Sequence, residues 1–334
     1  MNKSPSTVTR RQSLLALAAT AATAMSLAPT AARSQVRFPD KPISLLMPFG
    51  PGGIADLTAR AVAEQMSKSL GQAVVVENKP SAGSIVASQA VASAKPDGHT
   101  LLLMSNGNAV SVGLFKKLPF DAQKDFAPIT TLGYFDIGLF VAANSKFATL
   151  KDALAFAKAN PGKLNVGTIA PGSTQHLSAK LFETVAGVDV LVVPYKSSHC
   201  VLTALRAGEI DIAFEIVGPM VPQLSAGVVK ALAVSSDRRN PALPEVPTVM
   251  QAGVAGYNVA SWNALAAPAG TPPEVLERLG RAAREAVASP EVQAKLGKLG
   301  MRLQGSTADE LQALLGSEIK RWGAVIRAAK IEPE

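Results

Sequence analysis

The chain has 334 residues, 48% hydrophobic and 17% charged, enough to bury a large core in one large domain or two ordinary ones. Aromatics make up only 5%, and alanine and valine fill much of the apolar share, which suits helices packed on a parallel sheet. The formal charge of +8 and pI near 9.6 point first toward nucleic acid. Four of the cations, Lys3, Arg10, Arg11 and Arg33, lie in a 34-residue start without Asp or Glu, so the remainder carries only +4. Those charges are dispersed, with no basic run interleaved with aromatics, so no nucleic-acid partner is expected.

Residues 1–34 read as an export signal. A basic start ending in Arg10-Arg11 leads into the uncharged segment Ser13 to Ala28 and then a small-residue region. The apolar segment is short for a membrane span. Cleavage is expected after Ser34 or near Ala31. Thr9 to Leu15 resembles a twin-arginine signal with serine in place of a bulky apolar residue, so ordinary secretion is an equal alternative. Cys200 is the sole cysteine, which excludes both a lipid anchor at the cleavage region and an internal disulfide. The mature protein is expected in the periplasm.

Phe38 to Pro42 is an extended entry to a buried strand, Ile43 to Met47. The loop Pro48-Phe49-Gly50-Pro51-Gly52-Gly53 follows, then a helix with Ile54, Leu57, Ala61, Val62, Met66 and Leu70 on one face and Gly71 as its cap. Val74 to Val76, a helix from Ser81 to about Ala94, and Thr100 to Met104 complete a β-α-β-α-β order, which implies a parallel, right-handed arrangement. Ile129 to Val141 reads as a strand crossing to a second lobe, and Thr149 caps a helix that ends at Asn160-Pro161-Gly162. The opening grammar then returns: strand Leu164 to Ile169, loop Ala170 to Thr174, helix Gln175 to Val185. Val190 to Val193 is a further strand, and Pro194 to Ser198 opens a helix ending near Gly208. Ile210 to Phe214, Pro219 to Ala226 and Lys230 to Ser235 continue the alternation. Val259 to Pro268 reads as a second crossing, followed by helices from Pro273 to about Ala288 and from Asp309 to Ala329.

The opening loop has two functional readings beside that of a tight structural turn. Gly50-Pro51-Gly52-Gly53-Ile54-Ala55 satisfies the dinucleotide fingerprint at Gly50, Gly52 and Ala55, with Glu77 placed as a ribose-binding acid. Pro51 stiffens the turn where a pyrophosphate would approach, and export removes the usual cofactor supply. In the other reading, amides at Gly52, Gly53 and Ile54 grip a carboxylate, aided by the helix dipole. Asp56 is read as a complement to the helix start. Gly172-Ser173-Thr174 is the matching device in the second half, where either hydroxyl serves as a helix cap or as a ligand donor. His176, His199 and Cys200 have no partner carboxylate at metal-site spacing, and no G-x-S-x-G is present. No catalytic residue, cofactor or metal is expected.

The chain resembles the extracytoplasmic solute receptors of tripartite tricarboxylate transporters, the Bug receptors, from about Phe38 to the C-terminus. The resemblance rests on Pro48-Phe49, Gly52-Gly53, Asp56 and Arg60, then Gly71-Gln72 with Val74 to Asn78, and Pro96-Asp97-Gly98. It continues through Gly172-Ser173 with His176, Val193 to Lys196, Leu232 to Val234, Leu243 to Thr248 and Ala267 to Pro272. It implies an α/β, periplasmic binding protein type II-like fold, two α/β lobes with a ligand cleft between them. The lobes would be 35–137 plus 260–334, and 138–259, closing at hinges near 137–140 and 258–262. The partners it implies are a small organic acid and the permease subunits of a tripartite tricarboxylate transporter, with the receptor itself a monomer.

Carried onto this chain, the ligand contacts are Phe49, Gly52, Gly53 and Ser84, with Ser105 or Asn106, in the first lobe. In the second they are Gly172, Ser173, Thr174, Tyr195, Ser197 and Glu215. Ile54-Ala55 replaces a hydroxyl-rich pair, Ser81 and Ser84 replace glycines, and Ser197 to Cys200 and Glu215 also depart from the common pattern. Ligand identity therefore does not transfer. The alternatives are an exported NAD(P)-dependent oxidoreductase, a receptor serving a sensory system, and an interaction protein that ignores small molecules.

Overall fold

The apolar run Ile43–Met47 forms β1, in which Ile43, Leu45 and Met47 are fully buried. The computed structural model describes Met1 and residues 38–333, apart from 170 and 172. The chain forms two units, Met1–Phe38 and Pro39–Glu334. The first lies almost wholly outside the described residues, and with it the expected leader and cleavage site. Everything below concerns the second.

From β1 the glycine loop leads into α1 (Ile54–Leu70), whose buried Ile54, Thr58, Ala61, Val62, Met66 and Leu70 recur at helical spacing. Gly71 ends the helix at φ 72°, the left-handed cap that glycine takes without Cβ strain. β2 (Val74–Asn78) pairs parallel with β1. After a 3-10 turn at Ala82–Ser84 and α2 (Ile85–Ala92), β3 (Thr100–Ser105) pairs parallel on the other side of β1. The β-α-β-α-β reading of this half therefore holds. α3 (Asn106–Leu114), which follows β3 without a loop, was not anticipated. A capping box starts it: Ser105 Oγ accepts from Gly107 N–H at 3.2 Å, and Asn108 Oδ1 accepts from Ser105 N–H at 3.0 Å.

The long strand β4 (Phe126–Ala142) changes partners midway. Phe126 to Asp136 run antiparallel to β9 (Ala260–Pro268), which itself lies beside β3. Ile137 to Ala142 run antiparallel to β7 (Ile212–Ile216) and β8 (Val229–Val234). β5 (Asn165–Ile169) pairs parallel with β7 and with β6 (Leu191–Tyr195). One sheet thus has the order β2-β1-β3-β9-β4, and the other continues β4-β7-β5-β6, with β8 on the free side of β4.

Helices α4 (Leu150–Ala159), α5 (Thr174–Ala186), α6 (Ser198–Ala207) and α7 (Val217–Ser225) serve the second sheet. Helices α8 (Pro273–Ala288), α9 (Pro290–Gly297) and α10 (Ala308–Ala328) follow β9. α8 packs on α1, and α10 packs on α3 and β4. No helix among the described residues is long and apolar enough to cross a membrane.

The point where β4 changes sheets is held by buried polar contacts. Asp136 Oδ2 accepts from Asn240 Nδ2 at 2.8 Å, and Asp136 Oδ1 pairs with Arg302 Nη2 at 3.4 Å. Asn240 Nδ2 also reaches Gly300 O at 3.0 Å. These bonds tie β4 to the segments before β9 and after α9.

Candidate ligand-binding cavity

The loops that follow β1, β2, β3, β5 and β7 enclose a cavity of about 400 Å³. These are the carboxyl ends of parallel strands, where open α/β sheets place their ligands. The cross-strand pair Phe135 and Ser261, from β4 and β9, closes one side.

The glycine loop supplies one wall through Phe49, Gly53, Ile54 and Ala55. Gly52 adopts φ +86°, a conformation that favours glycine, and donates its N–H to Asp56 Oδ2 at 3.0 Å. Asp56 also accepts from Arg60 Nε at 3.0 Å and Asn78 Nδ2 at 3.1 Å, and Asn78 Nδ2 reaches Phe49 O at 3.0 Å. Burial opposes ionisation of Asp56, but these hydrogen bonds, led by that from Arg60, outweigh it and hold the carboxyl below the usual carboxylate range. The amide of Gly52, expected to face the cleft, is therefore committed inside the loop. Gly53 is the N-cap of α1 and brings no side-chain hydrogen bond. The first turn of α1 thus borders the cavity uncapped, where the helix dipole concentrates roughly half a positive charge.

Ser84, buried, holds φ +62°, a left-handed backbone that costs a non-glycine residue about 1–2 kcal/mol. It faces the cavity beside Gly83, where a Cβ would run into the Phe115 ring at Cε2. Ser105 lines the cavity as the cap of α3.

Asn106 does not line the cavity, because its side chain is fully buried between two partners. Trp322 Nε1 donates to Asn106 Oδ1 at 2.8 Å, and Asn106 Nδ2 donates to Thr174 Oγ1 at 3.1 Å. Indole N–H is a donor only and is shared with Glu318 Oε2 at 2.7 Å; the end of the Asn106 amide that faces it is the oxygen, which leaves Nδ2 toward Thr174. Thr174 Oγ1 then accepts from Asn106, its own proton takes no part in that bond, and Thr174 lines the cavity.

Ser173 also lines the cavity, but its hydroxyl is engaged. It accepts from His176 N–H at 3.1 Å as the cap of α5 and donates to Ile169 O at 3.3 Å. Gly172 lies outside the described residues. His176 is buried, and burial, helped by the charge of Lys180, depresses its imidazole to about 4, so it is neutral near pH 7.

Three further expected contacts stand apart from the cavity wall. Tyr195 ends the edge strand β6, and Ser197 is an exposed cap of α6 that accepts from Cys200 N–H at 3.3 Å. Glu215 is 1% exposed and lies behind the wall. Its Oε2 accepts from Ser198 Oγ at 3.0 Å, Ile216 N–H at 3.2 Å and Gln175 Nε2 at 3.4 Å, while Oε1 has no hydrogen-bond partner. Burial raises its carboxyl to about 7, with the three hydrogen bonds acting in the opposite direction.

Val110, Leu114 and Phe115 from α3 and its end, with Phe135, Gln175, Ile216 and Ser261, are lining residues that sequence reasoning missed. Only the alternation along β4 and β9 carried a signal for Phe135 and Ser261. Among the described residues, no three His, Cys, Asp or Glu side chains gather to hold a metal ion.

A family model described as tripartite tricarboxylate transporter family receptor matches residues 58–331. The chain belongs to this family. Among relatives, it is 38% identical over 306 residues, 91% of each chain, to a UPF0065 protein in the tcbD-tcbE intergenic region of Pseudomonas sp. strain P51. The solved structure of periplasmic binding protein BugD is similar over 89% of this chain and 100% of that one, with TM-score 0.78 and 29% identity. The R. palustris protein Rpa4515 with adipate is similar over 89% of this chain and 100% of that one, with TM-score 0.80 and 32% identity. The fold is accordingly the periplasmic binding type, two α/β lobes with a cleft between them.

Proposed function

We propose that this receptor captures a small carboxylate in the cavity and delivers it to the membrane permease of a tripartite tricarboxylate-type transporter, outside the cytoplasm and without catalysing a reaction. The observation that carries the reading is the convergence of the uncapped α1 N-terminus and the oriented Thr174 hydroxyl on one cavity. Both are donors without a formal charge, suited to holding a carboxylate that must later be released. The adipate bound by the R. palustris relative supports the ligand class.

In this reading Phe49, Gly53, Ser84, Ser105 and Thr174 border the ligand. Gly52, Asn106 and Ser173 hold the shape of its walls, and Glu215 acts through Gln175 and Ser198. The lobes are 35–137 with 260–334, and 138–259, and they close on the ligand by hinging where β4 and β9 cross. Residues 1–34 direct export by the general or the twin-arginine route and are then removed. The mature receptor works as a monomer without metal or cofactor. A dinucleotide at the glycine loop is disfavoured because the Asp56 carboxylate takes the Gly52 amide that a pyrophosphate would need.

A thermal-shift screen of the mature protein against mono-, di- and tricarboxylates, aromatic acids, amides and NAD(P) tests the proposal. It predicts stabilisation by a cluster of carboxylates. Stabilisation by NAD(P) alone, or by no acid in the set, would overturn it.

A further inference from the structure

We propose that Ser84 sets specificity in this cavity: with Ser105 it forms a paired hydroxyl donor that takes a second acceptor oxygen of the ligand, apart from the carboxylate held at α1. The inference rests on the receptor function proposed above and deepens it by naming what a second contact reads.

Ser84 is costly in two ways. Its backbone is left-handed, at φ 62° and ψ 18°, a conformation that glycine adopts without strain. Its residue is only 3% exposed, yet among the described residues its Oγ has no hydrogen-bond partner. Burying a hydroxyl without a partner is unfavourable. Glycine at this position would remove both costs, and the loop already uses glycine at Gly83, with φ 59°. Ser84 lines the cavity, so the acceptor that offsets these costs is a bound ligand.

Ser105 has a proton in reserve beside it. It is buried, and its Oγ accepts from Gly107 N–H at 3.2 Å but donates to no described group. Gly107 brings the two hydroxyls together. A Cβ there would lie 2.8 Å from Ser84 Oγ and 3.3 Å from Ser105 Oγ, and all three residues line the cavity. The hydroxyls thus flank one notch in the wall, open only because residue 107 has no side chain.

This notch belongs to loops other than those assigned to the carboxylate. Ser84 ends the connection from β2 to α2 and Ser105 ends β3, whereas the α1 first turn follows β1 and Thr174 follows β5. A ligand held at α1 and Thr174 meets the pair with a different part of its body. Two O–H donors at one notch call for an oxygen acceptor on that part. A second carboxylate accepts from both in charge-assisted bonds, and a neutral carbonyl accepts more weakly. The cavity of about 400 Å³ has the liquid volume of roughly a dozen waters at ~30 Å³ each, room for a carboxylate and a second oxygen group on one short chain.

Calorimetric titration of the mature protein with acids of matched chain length tests the proposal: butyrate with succinate, pentanoate with glutarate and 4-oxopentanoate, and hexanoate with adipate. At one length or more, the acid with the second oxygen group should bind more tightly than the plain monoacid, by about tenfold for a diacid. A gain with diacids identifies a carboxylate as the second group, and a gain with 4-oxopentanoate alone identifies a neutral carbonyl; either supports the pair. Ser84→Gly should melt higher than wild type without acid, because the strain is relieved, yet lose most of that preference. Ser84→Ala keeps the strain and should lose the preference without the gain in melting temperature. An unchanged preference in both variants would overturn the role of Ser84. Monoacids binding as tightly as every oxygenated partner would overturn it too and leave the carboxylate-receptor reading intact. No measurable binding by any of these acids would overturn both.

Discussion

Asn106 and Thr174 meet beside the cavity, the first at the end of β3 and the second at the start of α5, with Asn106 Nδ2 donating to Thr174 Oγ1 at 3.1 Å. The bond links elements that serve different sheets. It also has a polarity, since Trp322 faces the Oδ1 end of Asn106 from the far side, and the Thr174 proton takes no part in it. Thr174→Val keeps the shape and removes that donor. Carboxylate affinity should fall about tenfold or more, the cost of a hydrogen bond to a charged group being roughly 1.5–3 kcal/mol. Thr174→Ser should retain most of the affinity. Calorimetry giving Thr174→Val the wild-type affinity would remove the hydroxyl from the site.

Ser173, its neighbour, should respond differently. Its hydroxyl accepts from His176 N–H and donates to Ile169 O, so its work is to begin α5. Ser173→Ala should lower stability by about 1 kcal/mol, as loss of a helix cap does, and change carboxylate affinity less than Thr174→Val does. Chemical denaturation and calorimetry on the two variants separate the roles. A larger loss of affinity in Ser173→Ala would reverse them.

Gly218, in the first turn of α7, allows a close approach between the halves. A Cβ there would lie 2.8 Å from Leu299 O and 3.6 Å from Ile54 Cδ1. One neighbour is backbone, so the contact must widen in Gly218→Ala. At roughly 1–3 kcal/mol for such overpacking, ligand affinity should drop by about fivefold to a hundredfold. Small-angle scattering with saturating ligand should show a more open particle than wild type. Identical profiles and affinities would show that this contact does not gate closure.

Glu215 should make stability depend on pH in an identifiable window. Its folded value, about 7, lies above the 4.5 of an unperturbed glutamate, so between these values the folded state binds the extra proton. Stability from this group is full below about pH 4.5 and is lost as pH rises through 7. His176, depressed to about 4, acts in the opposite sense, raising stability between about pH 4 and 6.5. Comparing Glu215→Gln with wild type cancels the histidine. The melting temperature of the variant relative to wild type should rise from pH 5 to pH 8. A constant difference would mean that Glu215 does not titrate in that range.

Much of the fold was legible because its signals are local. The buried run Ile43–Met47, the helical spacing of α1 with Gly71 behind it, and the long β-branched crossing at β4 each read correctly from composition and period. α3 did not, because Asn106, Gly107 and Asn108 are poor helix formers whose sequence reads as a turn. Only a capping box and burial against α10 make them helical. α9 was missed as the short continuation of α8 after Ser289 and Pro290.

The site was legible at its loops and illegible at its polarity. Gly52 and Gly53 look alike in sequence, yet the carboxylate of Asp56 claims one amide and leaves the other at the cavity. Which end of Asn106 faces Thr174 depends on Trp322, 216 positions away. Nothing local could report that, or place Phe115 over Gly83.

The position of a bound carboxylate is the most direct measurement. A crystal structure of the mature protein with the tightest acid found in the thermal-shift screen should place the carboxylate within hydrogen-bond distance of the amides at Gly53, Ile54 and Ala55 and of Thr174 Oγ1. A carboxylate seated instead in the hollow formed by Arg238, Arg302 and Arg321, on the far side of the β4–β9 crossing, would contradict the assignment of this cavity as the receptor site.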